Sequence, residues 1–435
     1  MRKLATLFVF TIVFISYSFS QNNVIVFKML GTDGGPAGEC DIYVDGKIMG
    51  NSKENGVYYF QYDTSTNNYT IEVKNTFEKI SKKFTVSTKG GTHNLKSDYI
   101  GFNQLGAYLN IDKTKKSIPE MFDYFQSAGV TDLFVPVFYD GKTIYPSKVK
   151  NINASSRDYL KEITNEGVKR SIRIHAVINT LNWGSGNIAD FKFKDYLSLN
   201  RSGKYDTGIE GKDFFVSPAS QEANQLLVDI TRELAINYRN LTGISLDYLR
   251  YKKGIAANYI TDDYGFEKSS VEMFKNLHKI DPAKIKPDTT IGSDWLKWIE
   301  HKENLILNLA VKMIAAAKDT NAALKITISA DPNYVYRHGK DLTCENYYEI
   351  GEFTRIDYFL MKIDKDNYVA DLKAAEPFIT KTLPMIEGSI GDDAKFDDIL
   401  KYLKDNKFDY FFGLYDQTVF ESANSNQKML NIIFR

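Results

Sequence analysis

The chain has 435 residues, 43% hydrophobic and 25% charged, a balance that suits globular protein and excludes a disordered chain or a membrane bundle. Lys plus Arg and Asp plus Glu each number 55, so the formal charge is zero, and no basic run offers the footprint that nucleic acid binding requires. The length fits two domains, or one large barrel with an appendage, and the neutral balance suits an uncharged partner.

Met1-Arg2-Lys3, an apolar run over 7–15 and the small residues of Ser18-Phe19-Ser20 read as a secretory signal peptide over 1–20, removed before Gln21. The run is short for a bilayer span and no second one follows, so no stable span is expected after its removal. The mature chain is expected in the periplasm or outside the cell. Cys40 and Cys344 fall in different expected domains, so no disulfide framework is expected to hold the fold.

Over 21–98, short apolar and polar alternations with Gly-rich breaks predict a small all-β sandwich, immunoglobulin-like or transthyretin-like. Its clearest element is a hairpin with Asp45-Gly46 at the turn. No aromatic platform stands out there, so carbohydrate binding and a plain spacer role are both open.

From 99 to 435 the pattern becomes short apolar strands separated by amphipathic stretches, which predicts an α/β chain folded as a (β/α)8 TIM barrel. The strands are expected over 106–111, 132–138, 172–179, 242–249, 324–330, 356–363, 383–387 and 410–415. Helices are expected over 118–128, 219–238, 295–318 and 396–405. The longest connections, 180–218 and 250–294, follow the third and fourth strands, on the side where this architecture builds its sites.

Chemistry is therefore sought at strand ends. The first strand ends in Asn110 and Asp112, the third carries His175 and Asn179, and the fourth ends in Asp247 with Arg250. The fifth leads to Asp331, the sixth holds Lys362 and Asp364, the seventh ends in Glu387, and the eighth in Tyr415 and Asp416. Tyr139 and Asp140 end the second strand, but Tyr139-Asp140-Gly141 reads as an ordinary turn and is set aside. Cleavage of a glycosidic bond needs one protonated and one ionised carboxyl group. Asp247, ending an apolar strand with Arg250 as its expected partner, is the first candidate, and Glu387 the second, with Asp331 competing for that place. His175 reads first as a buried core histidine, with orienting substrate as the alternative. Trp183 and Tyr145 could stack on sugar rings or anchor loops. No His or Cys cluster, Gly-x-Ser-x-Gly elbow or phosphate-cradling Gly loop occurs, so no metal or cofactor is implied, and the esterase and nucleoside triphosphatase readings lose.

The segment Leu241-Thr242-Gly243-Ile244-Ser245-Leu246-Asp247-Tyr248-Leu249-Arg250-Tyr251 resembles the fourth-strand signature of the glycoside hydrolase-like family 10 barrels, which are exported bacterial proteins. Thr143-Ile144-Tyr145-Pro146-Ser147, Arg173-Ile174-His175-Ala176-Val177-Ile178-Asn179 and Phe215-Val216-Ser217-Pro218 are similar to further motifs of that family. The resemblance implies a barrel that hydrolyses glycosidic bonds, with Asp247 as its central carboxylate and Arg250 and Tyr251 shaping the surroundings. Some relatives act on peptidoglycan glycan strands stripped of peptides. Three positions depart from the pattern: Thr242 stands for Asp, Lys252 for Pro, and Trp298 lacks its adjacent Arg. The expectation is an exported hydrolase of a polysaccharide or oligosaccharide, with a non-catalytic carbohydrate-binding barrel as the alternative and a lyase behind both.

Overall fold

The computed structural model describes residues 24–30, 40–52, 57–63, 65, 68–75, 82–87, 91–96, 105–127, 130–254, 256–330, 342–364, 366–375, 382–387, 398–399, 402 and 412–416. The expected signal peptide and Asp331 lie outside these residues. For Glu387, Tyr415 and Asp416 the description is of the backbone.

Two small sheets come first. Val57–Gln61, Val24–Leu30 and Gly91–Lys96 form one, and Lys47–Asn51, Cys40–Val44, Asn68–Asn75 and Lys82–Ser87 the other. Ile25, Phe27 and Phe60 from the first pack with Ile42, Val44 and Ile71 from the second in one core. The Asp45-Gly46 turn joins strands that pair Val44 with Lys47, and both turn residues have positive φ, as a two-residue hairpin of this hand demands.

Eight parallel strands then close on themselves. In chain order they are Leu105–Tyr108, Asp132–Tyr139, Arg173–Asn179, Gly243–Asp247, Lys325–Ala330, Tyr358–Ile363, Thr382–Glu387 and Phe412–Asp416. Each pairs with the next, the eighth pairs with the first and the first with the second, so the ring has no free edge. Every expected barrel strand is present. Both faces of the second to fifth of these strands are covered, which is why they read as nearly continuous apolar runs. Outward side chains such as Ile174, Ile244, Leu246, Ile326 and Ile328 join the main core under the helices. Inward ones, including Phe134, Val177, Leu360, Leu383 and Met385, form a second cluster along the barrel axis.

The helices start where side chains can cap them. Lys161 N donates to Asp158 before Tyr159–Arg170, Ala223 N to Ser220 before Gln221–Asn237, and Leu296 N to Ser293 before Asp294–Lys318. Among the described residues no helix is long and apolar enough to cross a membrane.

The end of the barrel where strands begin is tied by a buried charge cluster. Arg173 donates to both oxygens of Asp132, at 2.8 and 2.6 Å, and His175 Nε2 lies 2.9 Å from Asp132 Oδ1. Burial opposes ionisation, but the Arg173 guanidinium and the hydrogen bonds hold the Asp132 carboxyl far below the usual range. Burial pushes the His175 imidazole down, and the ring stacks on Phe134 at 4.7 Å. Gly243 makes room for it: a Cβ there would sit 2.5 Å from Lys325 O and 2.8 Å from His175 Nδ1. The histidine is thus a buried, hydrogen-bonded core group, as its first reading expects, and the alternative of a substrate-binding role is corrected. Removing Asp132 leaves Arg173 buried without its countercharge, so Asp132→Ala should cost about 3–5 kcal/mol in a urea denaturation series, far more than any surface Asp→Ala control.

Candidate active site

The opposite end, where the strands finish, opens into a cleft of about 840 Å³. Its floor is made by inward side chains of the second, third, fourth, sixth and seventh strands: Phe134, Val177, Ser245, Leu360 and Met385. Its walls are polar, with Asn110, Asp112, Asp140, Asn179, Asp213, Asp247 and Lys362 among them. Of the residues singled out in the sequence, Asn110, Asp112, Asn179, Asp247 and Lys362 are brought together here.

Asp247 ends the fourth strand. Alternation turns Ser245 and Asp247 into the barrel and leaves Leu246 against the helices. Ser329, on the fifth strand, donates its hydroxyl to Asp247 Oδ1, and Thr180 N holds the Asp247 carbonyl at 2.7 Å. Burial pushes this carboxyl above its ordinary value, opposed by the Ser329 hydrogen bond and by the charges of Lys362 and Arg250. Directly after it, Tyr248 takes a left-handed backbone (φ 53°) and turns its ring into the cleft.

The expected pairing of Asp247 with Arg250 is corrected. Arg250 forms a fork with Glu210, at 2.6 and 3.0 Å, and also donates to its neighbour's carbonyl, Tyr251 O. It is buried between the rings of Phe215 and Tyr248 and reaches Asp247 only through longer-range charge. Its work is to fasten the connection that carries Glu210. Lys252 does the same from the next turn of chain: its ammonium donates to Tyr205 O, Gly211 O and Asp213 O at 2.7, 2.6 and 3.1 Å. These carbonyl bonds explain why a lysine can stand where the family pattern has proline. Burial lowers the Lys252 ammonium to about 8.

The strapped connection ends at Asp213, a wall residue that sequence reasoning missed. Asn182 donates to Asp213 Oδ2 at 3.1 Å, and burial pushes the carboxyl up. Asp140, set aside as a turn residue, does sit in one, with positive φ at Asp140 and Gly141, yet it also lines the cleft. Burial raises its carboxyl too, with Lys142 pulling the other way. A side chain at Gly184 (φ 109°) would fall on Asp140 Oδ1, so the glycine lets the carboxyl approach the backbone. Beside it, Tyr139 and Lys142 each donate to Asp112 at 2.7 Å, and against the effect of burial they hold it below its ordinary value.

Three expected aromatic contacts are also corrected. Tyr145, Trp183 and Tyr251 are each 1% exposed or less and none lines the cleft. Trp183 donates Nε1 to Thr180 O at 2.8 Å and packs edge-on against Phe138 and Phe193, sealing the third connection onto the barrel. Large rings cover that long connection, and among the described residues the aromatic walls of the cleft are Tyr108, Tyr139 and Tyr248. Among the described residues no group of three or more His, Cys, Asp or Glu is arranged to hold a metal ion.

A closed ring of eight parallel strands with an acid-walled cleft at its carboxyl end is the frame of a glycoside hydrolase-like barrel. Residues 94–384 match the family model of glycosyl hydrolase-like 10, and the chain belongs to that family. Among solved structures, the catalytic domain of β-amylase from Paenibacillus polymyxa is similar at a TM-score of 0.53 and 15% identity, over 74% of this chain and 94% of that one. β-Galactosidase from the psychrophilic Marinomonas ef1 is similar at 0.53 and 8% identity, over 76% and 59%. A catalytic mutant of Gan42B, a GH42 β-galactosidase from G. stearothermophilus, gives 0.51 and 11%, over 77% and 56%. At such identities the likeness is one of fold, and the chain spans a little over half of either β-galactosidase chain. No curated protein matches the sequence.

Two pH effects follow. The folded chain holds the Asp247 proton above the unfolded value near 3.8, so this group's stabilisation is present below that pH and is lost as pH rises through the folded value. Asp247→Asn should therefore be more stable at pH 7, by about 0.5–2 kcal/mol, with the gain shrinking as melts are run toward pH 4. For Lys252 the folded state releases its proton first, between about 8 and the unfolded 10.5, so stability rises with pH across that window. Wild type should gain on Lys252→Met over the same range in thermal melts.

Proposed function

We propose that this chain is an exported glycoside hydrolase that cleaves glycosidic bonds of a polysaccharide in the barrel-mouth cleft, with Asp247 and Glu387 as the carboxyl pair. The observation that carries the reading is Asp247 on the cleft wall, bonded by Ser329 in surroundings whose burial favours its protonated form, the form that leaving-group protonation draws on. Glu387 ends the seventh strand, and alternation from Leu383 and Met385, both buried along the barrel axis, brings position 387 to their face one step nearer the mouth. An ionised group there would attack the sugar or activate water. Asn110, Asn179 and Lys362 are the wall residues proposed to hold sugar hydroxyls, with Tyr415 and Asp416 contributing from the eighth strand.

Export rests on the signal-peptide pattern of residues 1–20, and the two N-terminal sheets are proposed to be an immunoglobulin-like or transthyretin-like module. Among substrates, peptide-free peptidoglycan strands stand first for screening.

The test is digestion of a panel of bacterial and plant glycans by the chain from Gln21 onward, followed by reducing-end release. Asp247→Asn should lower kcat/KM roughly 10²–10⁴-fold while leaving glycan binding in place. No release from any glycan, or a variant as active as wild type, refutes the hydrolase. Binding without turnover in both proteins would establish the non-catalytic barrel instead.

A further inference from the structure

A regular strand cannot turn two consecutive side chains into the same cavity, because its side chains alternate. Asp247 faces the cleft, so the residue after it belongs on the helix side, where Leu246 lies. Tyr248 lines the cleft all the same, because its backbone leaves the extended region for the left-handed one at φ 53°. Gly and Asn take that conformation readily, whereas a bulky ring adopts it only where its surroundings enforce it. Here the third connection enforces it: Thr180 N donates to Asp247 O at 2.7 Å and Leu181 N to Tyr248 O at 3.2 Å, so both carbonyls are gripped. Strain kept at a large side chain next to a candidate acid points to a function for that side chain.

The ring is held firmly and still left open. The Arg250 guanidinium stands over it, 5.3 Å from its centroid, and is itself fixed by its fork with Glu210. Phe215 meets it edge-on at 6.2 Å. Even so, Tyr248 is 37% exposed, against 7% for Tyr139, whose hydroxyl is taken by Asp112 and whose ring lies under Lys142. The three tryptophans, Trp183, Trp295 and Trp298, are all fully buried, so none offers a surface on which a sugar can lie. A pyranose presents hydroxyls around its rim and C–H bonds on its faces, and covering such a face with a flat apolar ring removes poorly hydrated area from water. Tyr248 is the cleft aromatic with the open surface to do so.

We propose that Tyr248 is the platform of a sugar subsite beside Asp247, the open part of its ring stacking on the C–H face of a pyranose unit. The left-handed turn sets acid and ring in one cavity. The ligand is then a glycan of pyranose units with equatorial substituents, whose flat C–H faces match a phenol ring, and not one of puckered furanose units. The assignment rests on the carbohydrate-binding part of the reading above and is independent of turnover.

The probes are cellotetraose, N-acetylchitotetraose and xylotetraose, with the tetramer of arabinofuranose for comparison, and binding to the full chain is followed by saturation-transfer NMR and calorimetry. At least one pyranose probe should bind about 10-fold or more tighter than the furanose tetramer. Tyr248→Phe should keep that probe's affinity within about threefold, and Tyr248→Asn should lower it about 10-fold or more at an unchanged Tm, because asparagine suits the left-handed turn. Since the native tryptophans are buried, Tyr248→Trp adds an emission signal from the cleft, which should change on titration with sugar where wild type does not; this measurement decides alone if the Asn variant fails to fold. Binding with no added emission change in Tyr248→Trp overturns the proposal, as does a Tyr248→Asn variant that binds as tightly as wild type, or no binding of any probe. Equal affinity for the furanose tetramer overturns the sugar class. Reducing-end release that is unaltered in Tyr248→Asn removes this platform and leaves the hydrolase reading standing, whereas Tyr248-dependent binding without release from any glycan does the reverse.

Discussion

Closure of the parallel ring is the constraint on which everything else depends. Because the eighth strand pairs with the first and the first with the second, each strand has one face inside and one outside, and alternation decides which residue goes where. On the fourth and fifth strands it sends Ser245, Asp247, Thr327 and Ser329 inward and leaves the intervening Ile and Leu to the helices. An inward acid in the middle of a strand would be buried without water. At the strand's last residue it meets both the protein interior and the cleft, and the raised carboxyl expresses that half-buried position.

A barrel alone gives only a rim, and this one is shaped by loops strapped with buried cations. Arg250 on Glu210 and Lys252 on three carbonyls hold the third connection so that Asp213 faces the cleft. The fourth connection is held by a comparable device. Asp263 accepts from Lys302 at 2.6 Å, from Arg201 at 3.2 Å and from Trp298 Nε1 at 3.2 Å. Trp298 has no adjacent arginine in sequence, and the cations beside it are Lys302, one turn along its helix, and Arg201 from the preceding connection. Charges buried this way stabilise little by themselves, but an unpaired member is strongly penalised, so they favour one loop arrangement over its alternatives.

The cleft and the barrel's other end use acidic groups in opposite ways. Asp132 is saturated by Arg173 and His175 and stays ionised as a structural charge. Asp140, Asp213 and Asp247 are short of positive partners, and burial lifts all three. A stable fold does not need three such groups in one cleft. Their clustering where strands finish is the mark of a site that trades stability for chemistry.

Much of this was legible in the sequence, for physical reasons. The alternation of apolar strands with amphipathic stretches announced eight β/α units, and the Asp45-Gly46 pair announced its hairpin, because periodicity and turn chemistry are local properties of the chain. Asp247 was also visible, since an acid that ends an apolar strand is costly enough to be conspicuous. Tertiary structure alone decided the partners. Arg250 lies three residues from Asp247 in sequence, yet its fork geometry is satisfied by Glu210 forty residues away. Tyr145 and Trp183 could be read as sugar platforms or as loop anchors, and the area needed to seal long connections drew them inside. Ser329 and Asp213 carried no local signal, one being an ordinary strand serine and the other a residue in an aperiodic loop, and only closure of the ring brought them beside the same cleft.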